Sequence, residues 1–320
     1  MSRKLIAAIA ALEEKHRALI RAAAEKHGFE TEFYNSDAEA MPHLAEAEIV
    51  FGASAALAQR APALRWLCTP SAGVNQFLAA GTFAAPDALL SNSSGAYGVT
   101  IAEHIVMVTL EMLRRQPEYA ALVRRREWKR DLLVRSIRDS RVTLVGTGDI
   151  GQEAAIRLRA FGPARMVGVN RGGGNPRGLF DAVYRQERLE SALPETDLLI
   201  LSLPGTPQTR HMLDAARLAL LPDGALIVNV GRGTVIDQMA LERELRAGRL
   251  CAALDVFEAE PLPAQDALWD SPNLLITPHT AGNMTLPYTR DRIVALFLED
   301  FENYCAGREL VRRVDLKRGY

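Results

Sequence analysis

The sequence predicts an α/β protein made of two doubly wound, parallel-sheet domains. Short apolar runs alternate with segments of helical period along most of the chain, the pattern of βαβ units. Runs such as Leu198-Leu-Ile-Leu201 are apolar without a polar break, as strands covered on both faces must be. A length of 320 residues suits two domains at roughly 150 residues each. With 48% hydrophobic and 24% charged residues the chain can bury a core and is not a disordered polymer. A formal net charge of -1 gives no field for nucleic acid or an anionic membrane.

The elements follow in order. Lys4–Ile9 reads as a strand, Glu13–His27 as a helix, and Phe29–Tyr34 and Glu48–Phe51 as strands. A small-residue helix, Ser54–Arg60, precedes short strands at Leu64–Thr69 and Ala88–Ser91. From Thr100 to about Arg126, Ile101, Ile105, Val108, Met112 and Leu113 recur at helix spacing, with Pro117 expected to break or kink the helix. The basic cluster Arg124-Arg-Arg126 with Lys129-Arg130 reads as a solvated face or subunit contact.

The alternation then repeats. Strands are expected at Arg141–Val145, Met166–Asn170, Leu198–Leu203, Ala225–Val230, Cys251–Val256 and Leu274–Thr277. Helices are expected at Ile150–Ala160, Asp214–Leu220 and Gln238–Ala247, the last capped by Asp237. Leu286–Tyr304 is an amphipathic helix, with Ile293, Leu296, Phe297, Phe301 and Tyr304 on one side. We read it as a return crossing to the first domain. The expected domains are therefore 1–98 completed by 287–320, and 99–286.

Cys68, Cys251 and Cys305 are too scattered for a disulfide framework, and no metal-ligand spacing appears. The opening Met1–Ala10 loosely imitates a signal peptide but runs straight into Glu13-Glu14-Lys15-His16-Arg17, so a first strand fits it better. No apolar run approaches the ~20 residues that span a bilayer. The expectation is a reduced, soluble, cytoplasmic protein.

The segment Gly146-Thr-Gly148-Asp149-Ile150-Gly151 follows the strand ending at Val145 and opens a helix. In that context the first glycine permits a tight turn and the second lets the backbone approach a pyrophosphate. The third allows close helix–strand contact, and the helix N-terminus offers free N–H groups to the anion. The end of the next strand bears on the cofactor. NAD sites normally carry an acid there for the ribose hydroxyls, but this chain has Asn170-Arg171 and a glycine run, with no acid between Glu153 and Asp181. A guanidinium can pair with the 2′-phosphate of NADP(H), which a carboxylate would repel. NADP(H) is the expected cofactor, with Arg177 a second candidate contact. NAD(H) bound without its carboxylate is the alternative.

Three further segments follow apolar runs: Asn229-Val230-Gly231-Arg232-Gly233, Asp255-Val-Phe-Glu-Ala-Glu260-Pro261 and Thr277-Pro-His279. In a parallel sheet the crevice beyond the carboxyl ends of the strands binds ligands. Arg232, Glu260 and His279 there form an anion clamp, a carboxylate partner and a proton donor.

Together with the glycine fingerprint, these segments resemble the D-isomer-specific 2-hydroxyacid dehydrogenases. Ser71-Ala72-Gly73-Val74 is similar to that family's substrate loop, Ala102-Glu-His104 to its connecting helix, and Val314–Tyr320 to its closing segment. The Asn-Arg pair makes the chain most like the NADPH-dependent glyoxylate/hydroxypyruvate reductases. The resemblance implies a Rossmann cofactor domain, a smaller flavodoxin-like substrate domain and a cleft between them. It implies hydride transfer between NADP(H) and a small 2-keto or 2-hydroxy acid of D configuration, such as glyoxylate or hydroxypyruvate.

His279 would be the general acid and Glu260 would orient its ring. Arg232 would bind the carboxylate and keto oxygen, and the amides of Ala72, Gly73 and Val74 would cradle the carboxylate from the other side. Asp255 would hold the nicotinamide carboxamide, Pro204 and Thr206 would flank the cofactor, and a homodimer joined through the cofactor domain is expected. His104 reads as a packed or hydrogen-bonded core histidine, and His211 as no part of the chemistry.

Some residues depart from the pattern or stay open. Asp149 places an acid near the pyrophosphate, or faces solvent. Tyr97, Trp269, Tyr288 and Arg290 read equally as pocket or packing residues. An NAD(H)-dependent D-2-hydroxyacid dehydrogenase is the alternative function. A formate-type dehydrogenase would carry glutamine in place of Glu260. A nucleotide-sensing, non-enzymatic regulator on the same fold would carry added interaction segments.

Overall fold

The structure is a computed structural model that describes residues 3–319. Met1, Ser2 and Tyr320, at the ends of the leader-like opening and of the closing segment, lie outside the described residues. The chain divides into two compact units. One runs through Tyr97 and resumes at Asn283; the other is Gly98–Gly282.

The first unit holds five parallel strands, β1 (Arg3–Ala8), β2 (Phe29–Tyr34), β3 (Ala47–Gly52), β4 (Trp66–Cys68) and β5 (Leu89–Ser91), in the order β2-β1-β3-β4-β5. Helices α1 (Glu14–Lys26), α2 (Asp37–Ala40) and α3 (Ala55–Gln59) connect them. The one-turn α2, which the sequence reading lacks, is capped by Ser36 Oγ accepting from the Glu39 amide at 3.3 Å.

In the second unit the expected Thr100–Arg126 helix is two. These are α4 (Gly98–Leu113) and α5 (Gln116–Arg124), separated at Arg115, whose φ is +56°. Pro117 sits in the first turn of α5, where its missing N–H leaves no hydrogen bond unmade, so the break falls just upstream of the proline.

Next come β6 (Arg141–Val145), α6 (Asp149–Arg159), β7 (Arg165–Asn170), β8 (Ala182–Arg185), β9 (Leu198–Leu201) and α7 (Ala215–Ala219). They are followed by β10 (Leu226–Asn229), α8 (Gln238–Arg246), β11 (Cys251–Leu254) and β12 (Leu274–Ile276). The seven-stranded parallel sheet has the order β12-β11-β10-β9-β6-β7-β8. Strand order reverses between β6 and β9, and the glycine fingerprint leaves β6 at that switch point, where open α/β sheets bind ligands. Strand β8 was absent from the sequence reading. It is a half-buried edge strand paired only with β7, so it carries no continuous apolar run.

The chain re-enters the first unit through α9 (Pro287–Cys305). Its Phe297 stacks on Phe51 of β3 and Trp66 of β4, with ring centroids 4.2 and 5.4 Å away. Phe301 meets Phe29 edge-on at 5.4 Å. The amphipathic face read from the sequence is therefore the lid of the first unit's core. The crossing falls at Gly282/Asn283, four residues before the expected one, and Arg290 of α9 donates to the carbonyls of Met284 and Thr285 in the connector.

Candidate active site

The fingerprint turn requires its glycines for separate reasons. Gly146 has φ +97°, and a Cβ there would lie 2.8 Å from the Ser202 carbonyl. At Gly151 a Cβ would overlap the Gly146 carbonyl. Gly148 has open space around it, is exposed, and caps the N-terminus of α6 without a side-chain hydrogen bond. A backbone this close-packed on the inside and this open on the outside fits a pyrophosphate at the helix N-terminus. Ile150 follows Asp149 in that first turn and is half-buried. The Asp149 carboxylate lies against Gly98, the first residue of α4, where a Cβ would come within 2.5 Å of it.

At the end of β7 the Asn170 side chain is used internally. Its Nδ2 donates to Thr147 Oγ1 (2.7 Å) and the Gly174 carbonyl (2.9 Å), and its Oδ1 accepts from the Gly173 amide (2.6 Å). Asn170 therefore shapes the glycine loop that carries Arg171. Arg171 is exposed on that loop, while Arg177 is near Gln152 (3.4 Å) and Glu153 (3.6 Å).

The Arg232 turn is built by buried Asn229. Its Oδ1 accepts from the Gly231 amide at 3.0 Å and its Nδ2 donates to the Arg232 carbonyl at 3.0 Å. Val230 is buried, and a Cβ on Gly231 would meet the Leu203 backbone at 2.6 Å. The stem of Arg232 lies along Gly205, between Pro204 and Thr206; a Cβ on Gly205 would come within 3.1 Å of Arg232 Cγ. In that loop Thr209 Oγ1 accepts from the Thr206 amide and donates to the Pro204 carbonyl, at 2.8 and 2.7 Å. Gly205 was not singled out from the sequence, since only the fold reveals that a side chain crosses it. Burial pulls the Arg232 guanidinium below its ordinary value, and the charge of Glu260 partly offsets this.

The next residue, Gly233, packs so tightly on the Phe257 backbone that any Cβ would overlap it. This contact joins the Arg232 turn to the segment carrying Glu260. Glu260 Oε1 accepts from the Phe257 amide (2.9 Å), and its Oε2 lies 2.7 Å from His279 Nδ1. A carboxylate only accepts, so Nδ1 carries a hydrogen and Nε2 is the ring nitrogen left to exchange a proton. His279 itself is in the left-handed region at φ +52°, which costs a non-glycine residue roughly 1–2 kcal/mol.

Asp255 compensates that strain. Its carboxylate is 2% exposed and is held by groups of the His279 loop. Oδ1 accepts from Thr277 Oγ1 (2.6 Å) and the Thr280 amide (2.8 Å), and Oδ2 from the Ala281 amide (3.0 Å). The Asp255 carbonyl accepts from the His279 amide at 2.9 Å. Asp255 thus anchors the whole His279 loop, a role that needs its burial.

His104 of α4 lies 3.2 Å from Thr277 Oγ1, a hydrogen-bonded interior histidine as the sequence suggested. His211 is paired elsewhere, at 2.9 Å from Glu258.

In the first unit, the carbonyls around the Ser71–Val74 loop are all taken. Tyr97 donates to Pro70, the Ser93 amide to Ser71, Asn92 to Ala72 and Ser71 Oγ to Gly73. Among the described residues the amides of Ala72, Gly73 and Val74 have no hydrogen-bond acceptor. Three such amides in one loop are candidate donors to an anion. Tyr97 is buried and holds this loop, Arg290 holds the connector, and Trp269 and Tyr288 are exposed.

Residues 106–281 match the D-isomer specific 2-hydroxyacid dehydrogenase, NAD binding domain. A glyoxylate/hydroxypyruvate reductase B from Serratia proteamaculans is 31% identical over 305 residues, 90% of this chain and 92% of that protein. A D-isomer specific 2-hydroxyacid dehydrogenase family protein from Aeromonas salmonicida superposes with a TM-score of 0.87 at 31% identity, covering 99% of this chain and 100% of that one. An NADPH-dependent glyoxylate/hydroxypyruvate reductase from Sinorhizobium meliloti, solved with NADP and sulfate, gives 0.83 at 28% identity, covering 99% of this chain and 100% of that one.

Proposed function

The chain belongs to the D-isomer-specific 2-hydroxyacid dehydrogenase family, and from that premise we propose that it reduces small 2-ketoacids such as glyoxylate or hydroxypyruvate with NADPH. The observation that carries this reading is the 2.7 Å pairing of His279 Nδ1 with Glu260, on a segment packed against the Arg232 turn. NADPH, when bound, supplies the hydride.

The chain's own residues do the rest. Arg232 binds the substrate carboxylate and keto oxygen and favours the negative charge that develops there. The amides of Ala72, Gly73 and Val74 would be the first unit's anion-binding donors. His279 delivers the proton from Nε2 to the keto oxygen, and Glu260 keeps the ring aimed and favours its charged form. In the oxidative direction the imidazole takes that proton back. Gly146, Gly148 and the first turn of α6 would hold the pyrophosphate. Arg171 would meet the 2′-phosphate on a loop that Asn170 shapes.

The first unit serves the substrate and the second the dinucleotide. The working form is a cytoplasmic homodimer, supported by the exposed apolar side chains of Val123, Trp128 and Leu133, 72, 96 and 84% accessible on the second unit. The test is an assay of purified protein against a panel of 2-ketoacids with each reduced cofactor. NADPH should be consumed faster than NADH, and Arg171→Asp should narrow or reverse that preference. An NADH preference in the wild type would overturn the cofactor assignment.

A further inference from the structure

The Thr277 hydroxyl stands between two groups, and it has one proton to give. Asp255 Oδ1, 2.6 Å away, can only accept, and it already receives the Thr280 amide. The hydroxyl proton therefore points at Asp255, and Thr277 Oγ1 must accept from His104 Nε2, 3.2 Å away. His104 Nε2 is 3.9 Å from Asp255 Oδ1, too far to bond it directly.

We propose that His104 and Thr277 are positioning residues for the proton donor: a one-way chain from His104 Nε2–H to Thr277 Oγ1–H to the Asp255 carboxylate holds the loop that presents His279. The proposal rests on the reading of His279 as that donor. Burial holds the His104 imidazole below its ordinary value, against the charges of Asp255 and Glu111, and the hydrogen on Nε2 follows from the Thr277 geometry.

The chain begins on α4, outside the loop, and ends on a carboxylate that gathers the Thr280 and Ala281 amides. The same residue's carbonyl takes the His279 amide at its left-handed φ. If the Thr277 hydroxyl is lost, Asp255 loses one of the three donors that fix its carboxylate. The loop can then relax towards an unstrained backbone, which turns Nε2 of His279 away from its working direction. Substrate binding through Arg232 is untouched, so the chain acts on turnover and not on KM.

The full-length protein tests this with Thr277→Val, His104→Leu and the pair combined, with Thr277→Ser and His104→Gln as donor-retaining controls. Thr277→Val should lower kcat about tenfold, with ketoacid KM changed less than about twofold. The double variant should be no worse than the poorer single one, because two links of one chain are not additive. Thr277→Ser and His104→Gln should recover most of the loss. A second readout needs no turnover: the Thr280 and Ala281 amides should exchange with deuterium about tenfold faster in Thr277→Val.

Additive losses in the double variant, no recovery with the donor-retaining controls, or unchanged exchange at Thr280 and Ala281 would overturn the proposal. If instead Thr277→Val speeds exchange while His279→Ala keeps full turnover, the chain stands and the assignment of the proton donor fails.

Discussion

His279 combines a strained backbone with a ring clamped by a carboxylate, and that combination makes it the residue to test first. His279→Ala should lower kcat by about 10²- to 10⁴-fold, the usual worth of a positioned proton donor. NADPH binding, followed by fluorescence titration, should stay within about threefold, because the fingerprint turn is separate from the ring. Full turnover in this variant would require another donor. Arg232, Glu260 and His279 could be put forward from the sequence because each follows an apolar run, and a strand's end is where a parallel sheet presents ligand-binding groups. The partners of Asp255 and Asn170 could not be read. Which amides reach a carboxylate or a side-chain amide depends on loop curvature, which the order of residues does not encode.

At the scale of elements, buried strands were the most legible part, since covering both faces demands uninterrupted apolar residues. Phe29–Tyr34 and Arg141–Val145 have the boundaries expected of them. The edge strand β8 and the break before α5 were hidden, the first by its polar composition and the second because left-handed Arg115 has no local signature. The junction of β6 and β9 at the switch point has its own electrostatic pin. Arg141 Nη2 donates to Asp197 Oδ1 at 2.8 Å, and the Arg141 amide donates to Oδ2 at 2.8 Å. The Arg141 hydrogen bonds hold the Asp197 carboxyl below the usual carboxylate range. A carboxyl depressed by folding stabilises the protein above its unfolded value, about 3.9, and loses that contribution as pH falls through the lower folded value. Thermal melts should therefore show Asp197→Asn less stable than wild type at pH 6, with the gap closing as pH falls below about 4. A gap independent of pH would mean the pair contributes shape and not charge.

For the whole molecule, the apolar stripe of α9 was legible, but a stripe of that kind can cover either unit, and its placement on the first is set by Phe297 and Phe301 against Phe51, Trp66 and Phe29. The exposed apolar side chains of Val123, Trp128 and Leu133 belong to the same scale. Light scattering should give about twice the 35.1 kDa chain mass, and Trp128→Glu combined with Leu133→Glu should shift the protein to monomer while leaving its melting temperature nearly unchanged. A wild-type monomer would remove the dimer from the functional reading.

The stacking of Phe297 on Phe51 and Trp66 also sets an order of events at the ribosome. The segment ending at Tyr97 emerges first but lacks its aromatic lid until residues beyond Asn283 have been synthesised. At roughly 5–20 residues per second that delay is about 10–40 s, the time in which the unit Gly98–Gly282 is itself synthesised. The half that is translated first is therefore the half that matures last, and it is the part that most needs shelter from aggregation in a newborn chain.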